Sequence, residues 1–181
     1  MNPLQKYSKE FFSHRIKTIR KKSIDGTFFR LVLAMHAQAI EETGPSFMVG
    51  GRYNSANEFG ALYLAENPNL CWLEKLKYYN NEVRAVPDQV LGEFEINIHT
   101  CLDLTNLKNL KTLGITMENI THPGDHYLTK MIGSAAWSLG IEALLVPSSI
   151  DSSHKNVVIF RDHLTPKSSI IRKKVSAYKG K

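Results

Sequence analysis

The sequence predicts an α+β domain with a compact mixed-sheet core and surrounding helices. Segments of strand and helix character alternate along the 181 residues, but they do not form a regular series of strand–helix–strand units. The hydrophobic fraction of 43% and the charged fraction of 22% are typical of a globular protein. A chain of this length can bury one core, and no linker rich in proline or glycine divides it.

In the first half of the chain, periodicity and turn signals predict two helices and two strands. Apolar residues recur at helical spacing near the N-terminus, and Asn67-Pro68 supplies an N-cap followed by proline at the first helical position. The β-rich segment TFFRLVL follows Asp25-Gly26, which is a turn signal, and ALYLA is a second short apolar run. The predicted elements are a helix over 3–19, a strand over 27–33, a strand over 61–65 and a helix over 68–79.

In the second half, the same signals predict three strands and two helices. VLGEFEINI alternates apolar and polar residues, as a half-exposed strand does. An apolar stripe that stops at Gly140 marks the clearest helix of the sequence. EALLV and NVVIF are short, apolar and β-branched, which is typical of buried strands. The predicted elements are a strand over 90–98, helices over 106–113 and 125–139, and strands over 142–146 and 156–160.

The basic charge of the chain is concentrated at its two ends. The formal net charge is +6, yet the middle of the chain, residues 23–166, carries a net charge of −6. An acidic middle argues against a uniformly basic nucleic-acid interface. We therefore divide the chain into a basic helical N-terminal extension over 1–22, a globular domain over 23–166 and a basic C-terminal tail over 167–181. We expect both ends to be solvated or to contact a partner.

Cysteine content and hydropathy predict a cytoplasmic protein. Cys71 and Cys101 have neither CxxC nor Cys/His spacing, so a disulfide framework and a zinc finger are both excluded. No stretch approaches the roughly 20 apolar residues that span a bilayer. No basic segment leads into an apolar segment as in a secretory signal, so we expect neither export nor a membrane.

The motifs of several common active sites are missing from the sequence. It contains no GxGxxG, GxxxxGK[ST], GxSxG or HExxH, which argues against a Rossmann cofactor site, a P-loop, an α/β-hydrolase and a zincin. His122 and His126 flank Pro123-Gly124, which breaks the helix that would aim both rings at one ion. We therefore predict no metal site.

Several polar residues occupy positions where the pattern expects core or strand ends, and each has two interpretations. The ordinary ones are an arginine facing solvent, a core tyrosine, a polar strand exit and an exposed ion pair between a glutamate and Lys77. The functional one is a ligand site, because guanidinium groups offer paired planar donors to diphosphate oxygens and Gly50-Gly51 permits close approach. These residues are Arg30, Arg52, Tyr63, Glu74 and Ser148.

Seven short segments occur in order along the chain: FR (29–30), GGRYN (50–54), ALYLAENP (61–68), LEKL (73–76), AAW (135–137), LLVPSS (144–149) and NVVIF (156–160). This ordered set resembles the RES domain, a family of toxins from bacterial RES–Xre toxin–antitoxin pairs. The likeness covers roughly 27–163, and GGRYN differs from the family's usual GGRWN by Tyr53. Thr129-Lys130 stands where a glutamine often follows a small polar residue in relatives.

The resemblance implies a fold similar to ADP-ribosyltransferase toxins and cleavage of the nicotinamide–ribose bond of NAD+, by phosphorolysis or hydrolysis. It implies that Glu74, Arg30 and Ser148 are catalytic, and that Arg30, Arg52, Tyr63 and Ser148 bind the dinucleotide. NAD+ would be a substrate, with inorganic phosphate as a candidate co-substrate, and no cofactor would be permanently bound.

The resemblance also implies a partner, an antitoxin of the Xre helix-turn-helix type. The sequence leaves open whether the protein forms a homo-oligomer. We expect no direct contact of this chain with nucleic acid. Two other functions remain as alternatives: a protein ADP-ribosyltransferase that uses the same site, and a nucleic-acid-binding module with basic tails. The acidic middle of the chain counts against the second.

Overall fold

A mixed sheet organises the structure, a computed structural model that describes residues 7–124 and 126–180. Within these residues the strands are β1 (Lys22–Leu33), β2 (Leu62–Ala65), β3 (Gln89–Asp103), β4 (Ala143–Pro147), β5 (Lys155–Ile159) and β6 (Ser169–Tyr178). The helices are α1 (Lys9–Thr18), α2 (Gly44–Val49), α3 (Pro68–Lys77), α4 (Leu107–Leu113), α5 (Met117–Thr121) and α6 (Tyr127–Ser138). Short 3-10 helices cover Ala34–Ala39, Val83–Ala85 and Arg161–His163. The predicted α+β class is confirmed.

The strand order of the sheet is β1-β2-β5-β4-β3-β6, and β1 also pairs with β3. One edge of β3 therefore contacts β1, and the other contacts β6 and then β4. The strands β1, β2, β5, β4 and β3 thus close into a ring. The junction of β1 with β2 consists of a single register pair, Phe29 with Ala65, so the two strands are free to diverge beside it.

Both faces of the central strands are buried, as their continuous apolar runs predict. Val158 of β5 packs in the cluster that includes α1, α4 and α6, whereas Val157 and Ile159 pack in a second cluster on the opposite face. Leu144 and Leu145 of β4 divide between the same two clusters. Helices therefore cover one face of the sheet, and the side chains of the ring fill the other.

A third, smaller cluster holds α3 against β1. The helix begins as predicted, because Asn67 is the N-cap and its Oδ1 accepts a hydrogen bond of 2.8 Å from the N–H of Leu70. Trp72 and Leu76 then pack with Leu31 of β1. This packing fixes the face of α3 that carries Glu74.

Two sequence-based expectations for β1 and the C-terminus are corrected. Gly26, interpreted as part of a turn, lies inside β1 opposite Ile96 with a φ of 141°. The segment expected to be a basic tail over 167–181 contains β6, an antiparallel partner of β3. A register shift leaves Lys173 unpaired opposite Glu93 and Phe94, and this bulge interrupts the alternation that would have predicted a strand.

Two of the predicted helices begin outside the described residues. The helix predicted over 3–19 is α1, which starts after Ser8; Pro3 and Leu4 lie outside the described residues. Asp125, at the predicted start of the helix over 125–139, also lies outside them. None of the helices that the structure describes combines the length and hydropathy that crossing a membrane requires.

Glu142, which precedes β4, is a buried carboxylate that ties three segments together. It accepts hydrogen bonds from the N–H of Thr100 at 2.6 Å and of Thr165 at 2.7 Å, and from the hydroxyls of Thr100, Thr165 and Ser168. Burial alone would raise its pKa, but the hydrogen bonds from Thr165 and Thr100 lower the pKa to about 2. The folded protein therefore stabilises the charged form of the Glu142 carboxylate.

We predict that Glu142→Gln lowers the free energy of unfolding by about 2 kcal/mol at pH 7, because charged acceptors of backbone N–H groups are lost. A depressed pKa stabilises the fold above the unfolded value of 4.5, and this contribution disappears as the pH falls towards 2. Urea unfolding at pH 7 and pH 3 should show the difference between wild type and variant shrinking at pH 3. An equal difference at both pH values would contradict this role.

Candidate active site

A cleft of about 170 Å³ opens beside the junction of β1 and β2. Its walls come from β1, β2, α3 and β5, and Cys71 contributes its thiol side chain from the first turns of α3. The cleft exists because the strands meet only at Phe29 and Ala65 and separate next to that pair. The polar side chains that line it are those of Arg30, Tyr63, Glu74, Lys75, Tyr78 and Asn156.

Glu74 is the carboxylate of this cleft. Its Oε1 accepts a hydrogen bond of 2.7 Å from Nδ2 of Asn156 and one of 3.4 Å from the hydroxyl of Ser148. Burial raises the pKa of Glu74, although the hydrogen bonds from Asn156 and Ser148 and the charges of Arg52 and Lys77 act in the opposite direction. Among the ion pairs of the described residues none joins Glu74 to Lys77, so the ordinary interpretation of this glutamate does not apply.

Ser148 lies directly after β4 and is fully buried. Its Oγ donates to Glu74 and accepts a hydrogen bond of 3.1 Å from the N–H of Ile150, while its own N–H donates to the carbonyl of His154 at 2.9 Å. The hydroxyl therefore supports the carboxylate of Glu74 from within the protein and is not part of the cleft lining.

Arg30 reaches the cleft from β1 and is half-buried, not extended into solvent. Its Nη1 donates to the carbonyl oxygens of Ile40 at 3.1 Å and Glu42 at 3.2 Å. Burial lowers the pKa of Arg30, which is the expected effect on a cation withdrawn from water. Two backbone carbonyls thus hold the guanidinium without neutralising it.

The segment GGRYN fixes the orientation of Tyr63 in the cleft wall. The Tyr63 hydroxyl donates to Oδ1 of Asn54 at 2.8 Å and accepts from the N–H of Tyr53 at 3.0 Å. A Cβ on Gly51 would lie 2.5 Å from the same hydroxyl oxygen, so only glycine leaves room for it. Asn54 is fully buried, and its Nδ2 donates to the carbonyl of Ser46 at 2.7 Å. The ring of Tyr63 is therefore held from its polar end.

The same segment is anchored on α6 and carries Arg52. A Cβ on Gly133 would lie 1.7 Å from the carbonyl oxygen of Tyr53, so this close approach of backbone to helix requires glycine. Nη1 of Arg52 donates to the carbonyls of His122 at 2.9 Å and Ile120 at 3.2 Å. Arg52 lies outside the cleft lining, yet its charge lowers the pKa of Glu74.

The structure thus brings Arg30, Tyr63 and Glu74 to one cleft, with Ser148 behind the carboxylate and Arg52 beside it. The sequence-based prediction of the site did not include Lys75 and Asn156, which also line the cleft. Lys75 lies in LEKL and Asn156 in NVVIF, two of the segments that resemble the family, so this resemblance could have identified them. Their direction towards the cleft depends on the packing of α3 and β5 and is not visible in the sequence.

No three His, Cys, Asp or Glu side chains are grouped as metal ligands in the described part of the chain. The cleft instead combines one carboxylate with cationic side chains. Asn156 adds an amide whose Oδ1 is buried and has no hydrogen-bond partner among the described residues. Such a cleft can bind a ligand that carries anionic groups and hydrogen-bond donors.

Fold and site together define an α+β domain with a half-buried carboxylate and an arginine at the divergence of two strands. A family model described as RES domain matches residues 27–177, and the chain belongs to that family. Its fold is similar to that of a chain in the crystal structure of the M. tuberculosis MbcT–MbcA toxin–antitoxin complex. The TM-score is 0.77 and the identity 22%, over 94% of this chain and 93% of that chain. No curated protein matches the sequence.

We predict that Asn156→Ala and Ser148→Ala both raise the pKa of Glu74, because each removes a hydrogen bond that stabilises its charged form. The shift should be larger for Asn156→Ala, whose bond is the shorter. Carbon-13 NMR titration of glutamate-labelled protein measures the shift, with the resonance assigned by Glu74→Gln. Ser152→Ala, at an exposed position on the same hairpin, is the control and should leave the pKa unchanged.

Proposed function

We propose that this protein is a toxin that degrades NAD+ by cleaving the nicotinamide–ribose bond, through phosphorolysis or hydrolysis, and releases nicotinamide. The observation that carries the proposal is the meeting of Glu74, Arg30 and Tyr63 in one cleft, with Ser148 in contact with the carboxylate. The resemblance to the family implies functional residues at these positions. Membership of the RES domain family supports the same activity.

The chemistry of the bond explains why one carboxylate suffices. Nicotinamide is a cationic pyridinium in NAD+ and departs neutral, so no general acid has to protonate it. An O-glycosidase, in contrast, uses two carboxylates because its leaving group is poorer. Glu74 would stabilise the positive charge that develops on the ribose as the bond breaks. A fixed carboxylate in a partly dry cleft can contribute several kcal/mol to this step.

The other residues would hold the dinucleotide and the carboxylate in register. Arg30 and Arg52 would bind the diphosphate. One nitrogen of each guanidinium donates to backbone carbonyls, and neither arginine forms an ion pair among the described residues. Tyr63, held at its hydroxyl, would present its ring to the nicotinamide. Ser148 would act as a positioning residue for Glu74, because its hydroxyl is buried.

A protein partner follows from the same proposal. The similar fold occurs in a chain crystallised in a toxin–antitoxin complex. We propose that an antitoxin of the Xre helix-turn-helix type neutralises this protein by covering the cleft. Purified antitoxin added at equimolar concentration should then stop NAD+ loss, and undiminished loss in a stable complex would refute occlusion of the site.

We predict that Glu74→Gln reduces NAD+ cleavage by about 100-fold or more, because the amide keeps the shape of the side chain but lacks the negative charge. The amide oxygen can still accept from Asn156, so the variant should fold, which circular dichroism checks. Glu82→Gln, an exposed position just beyond α3, is the matched control and should retain activity. Full activity in Glu74→Gln would refute the assignment.

The acceptor of the ADP-ribose group is determined by product analysis. Mass spectrometry after incubation with NAD+ distinguishes ADP-ribose, which indicates hydrolysis, from ADP-ribose 1″-phosphate, which indicates phosphorolysis. The reaction is run with and without inorganic phosphate. Label from NAD+ that appears on a protein instead would favour the ADP-ribosyltransferase alternative.

A further inference from the structure

The lining of the cleft contains two cationic side chains. Arg30 projects from β1 and Lys75 from α3, both are half-buried, and both line the cleft. Burial lowers the pKa of Lys75, and the charge of Arg30 lowers it further. Within the described residues neither forms an ion pair.

Glu74 does not serve as the counter-ion of this pair. Its Oε1 is occupied by the neutral donors Asn156 and Ser148. The cations that lower its pKa are Arg52 and Lys77, whereas the cation that acts on Lys75 is Arg30. Among the described residues, no ion pair therefore neutralises either cation of the cleft.

We propose that Arg30 and Lys75 form one binding subsite for phosphate oxygens, in which Lys75 is a ligand-binding residue. A guanidinium offers paired planar donors and an ammonium a compact point charge, and both are groups that proteins use to bind phosphate. Bound phosphate removes the repulsion between the two cations. This proposal rests on the proposed function only for the source of the phosphate, which is either the diphosphate of NAD+ or an inorganic phosphate co-substrate.

A second lysine on α3 provides a matched control. Lys77 is two residues further along the same helix and is exposed, and it lies outside the cleft lining. Neutralising Lys77 changes the net charge of the protein by the same amount as neutralising Lys75. Any difference in ligand affinity between Lys75→Gln and Lys77→Gln therefore reflects the loss of a cation from the cleft and not the change in net charge.

The test is calorimetric binding of two probes, ADP-ribose and inorganic phosphate, to the full chain carrying Glu74→Gln, which does not require turnover. We expect Lys75→Gln in that background to weaken at least one probe about tenfold, equivalent to about 1.4 kcal/mol, and Lys77→Gln to change neither. Weakened ADP-ribose binding places the diphosphate in the subsite, and weakened phosphate binding alone places the co-substrate there. Lys75→Arg should restore affinity.

Equal affinities of Lys75→Gln and Lys77→Gln for both probes would overturn the subsite. That failure is distinct from a failure of the proposed function, which is judged by the activity of the single variant Glu74→Gln. A thermal melt of each variant establishes that it is folded. Binding that is weak in Lys75→Gln and unrestored in Lys75→Arg would also contradict a role based on charge.

Discussion

The single register pair between Phe29 and Ala65 is the constraint on which the candidate site depends. It closes the ring of strands, yet it leaves β1 and β2 to diverge beside it, and the cleft lies at that divergence. The chain then turns at Asn67 directly into α3, which packs back on β1. Because of this short connection, the helix that carries Glu74 and the strand that carries Arg30 face the same opening.

Two glutamates, the buried Glu142 and the half-buried Glu74, show how the surroundings decide what a carboxylate does. Glu142 accepts hydrogen bonds from backbone and hydroxyl donors on both oxygens, and its pKa falls to about 2. Glu74 is bonded through Oε1 to two neutral side chains, and its pKa is raised by burial. Glu142 is fully used by the fold. Glu74 is held in place but keeps capacity to interact with a positively charged group that enters the cleft.

The site rests on a scaffold that ties distant segments together by close backbone approach. Gly51 leaves space for the hydroxyl of Tyr63, and Gly133 lets the carbonyl of Tyr53 contact α6. Asn54 then connects this loop to the wall of the cleft. The segment GGRYN thus mainly orients one aromatic ring and one arginine, and its second glycine has no room for a side chain.

The sequence by itself determined the α+β class and the positions of α3, α6, β4 and β5. It also determined the family from which the five candidate residues were inferred. Periodicity, helix caps and short motifs are local properties, so the sequence alone reveals them. Only the tertiary structure decided which side chains share the cleft. In the structure, Lys75 and Asn156 also line the cleft, and Ser148 is buried behind it. The structure also contains β6, in which a bulge interrupts the alternation that would have predicted a strand. These outcomes depend on pairing between segments far apart in the chain, and no local pattern records such contacts.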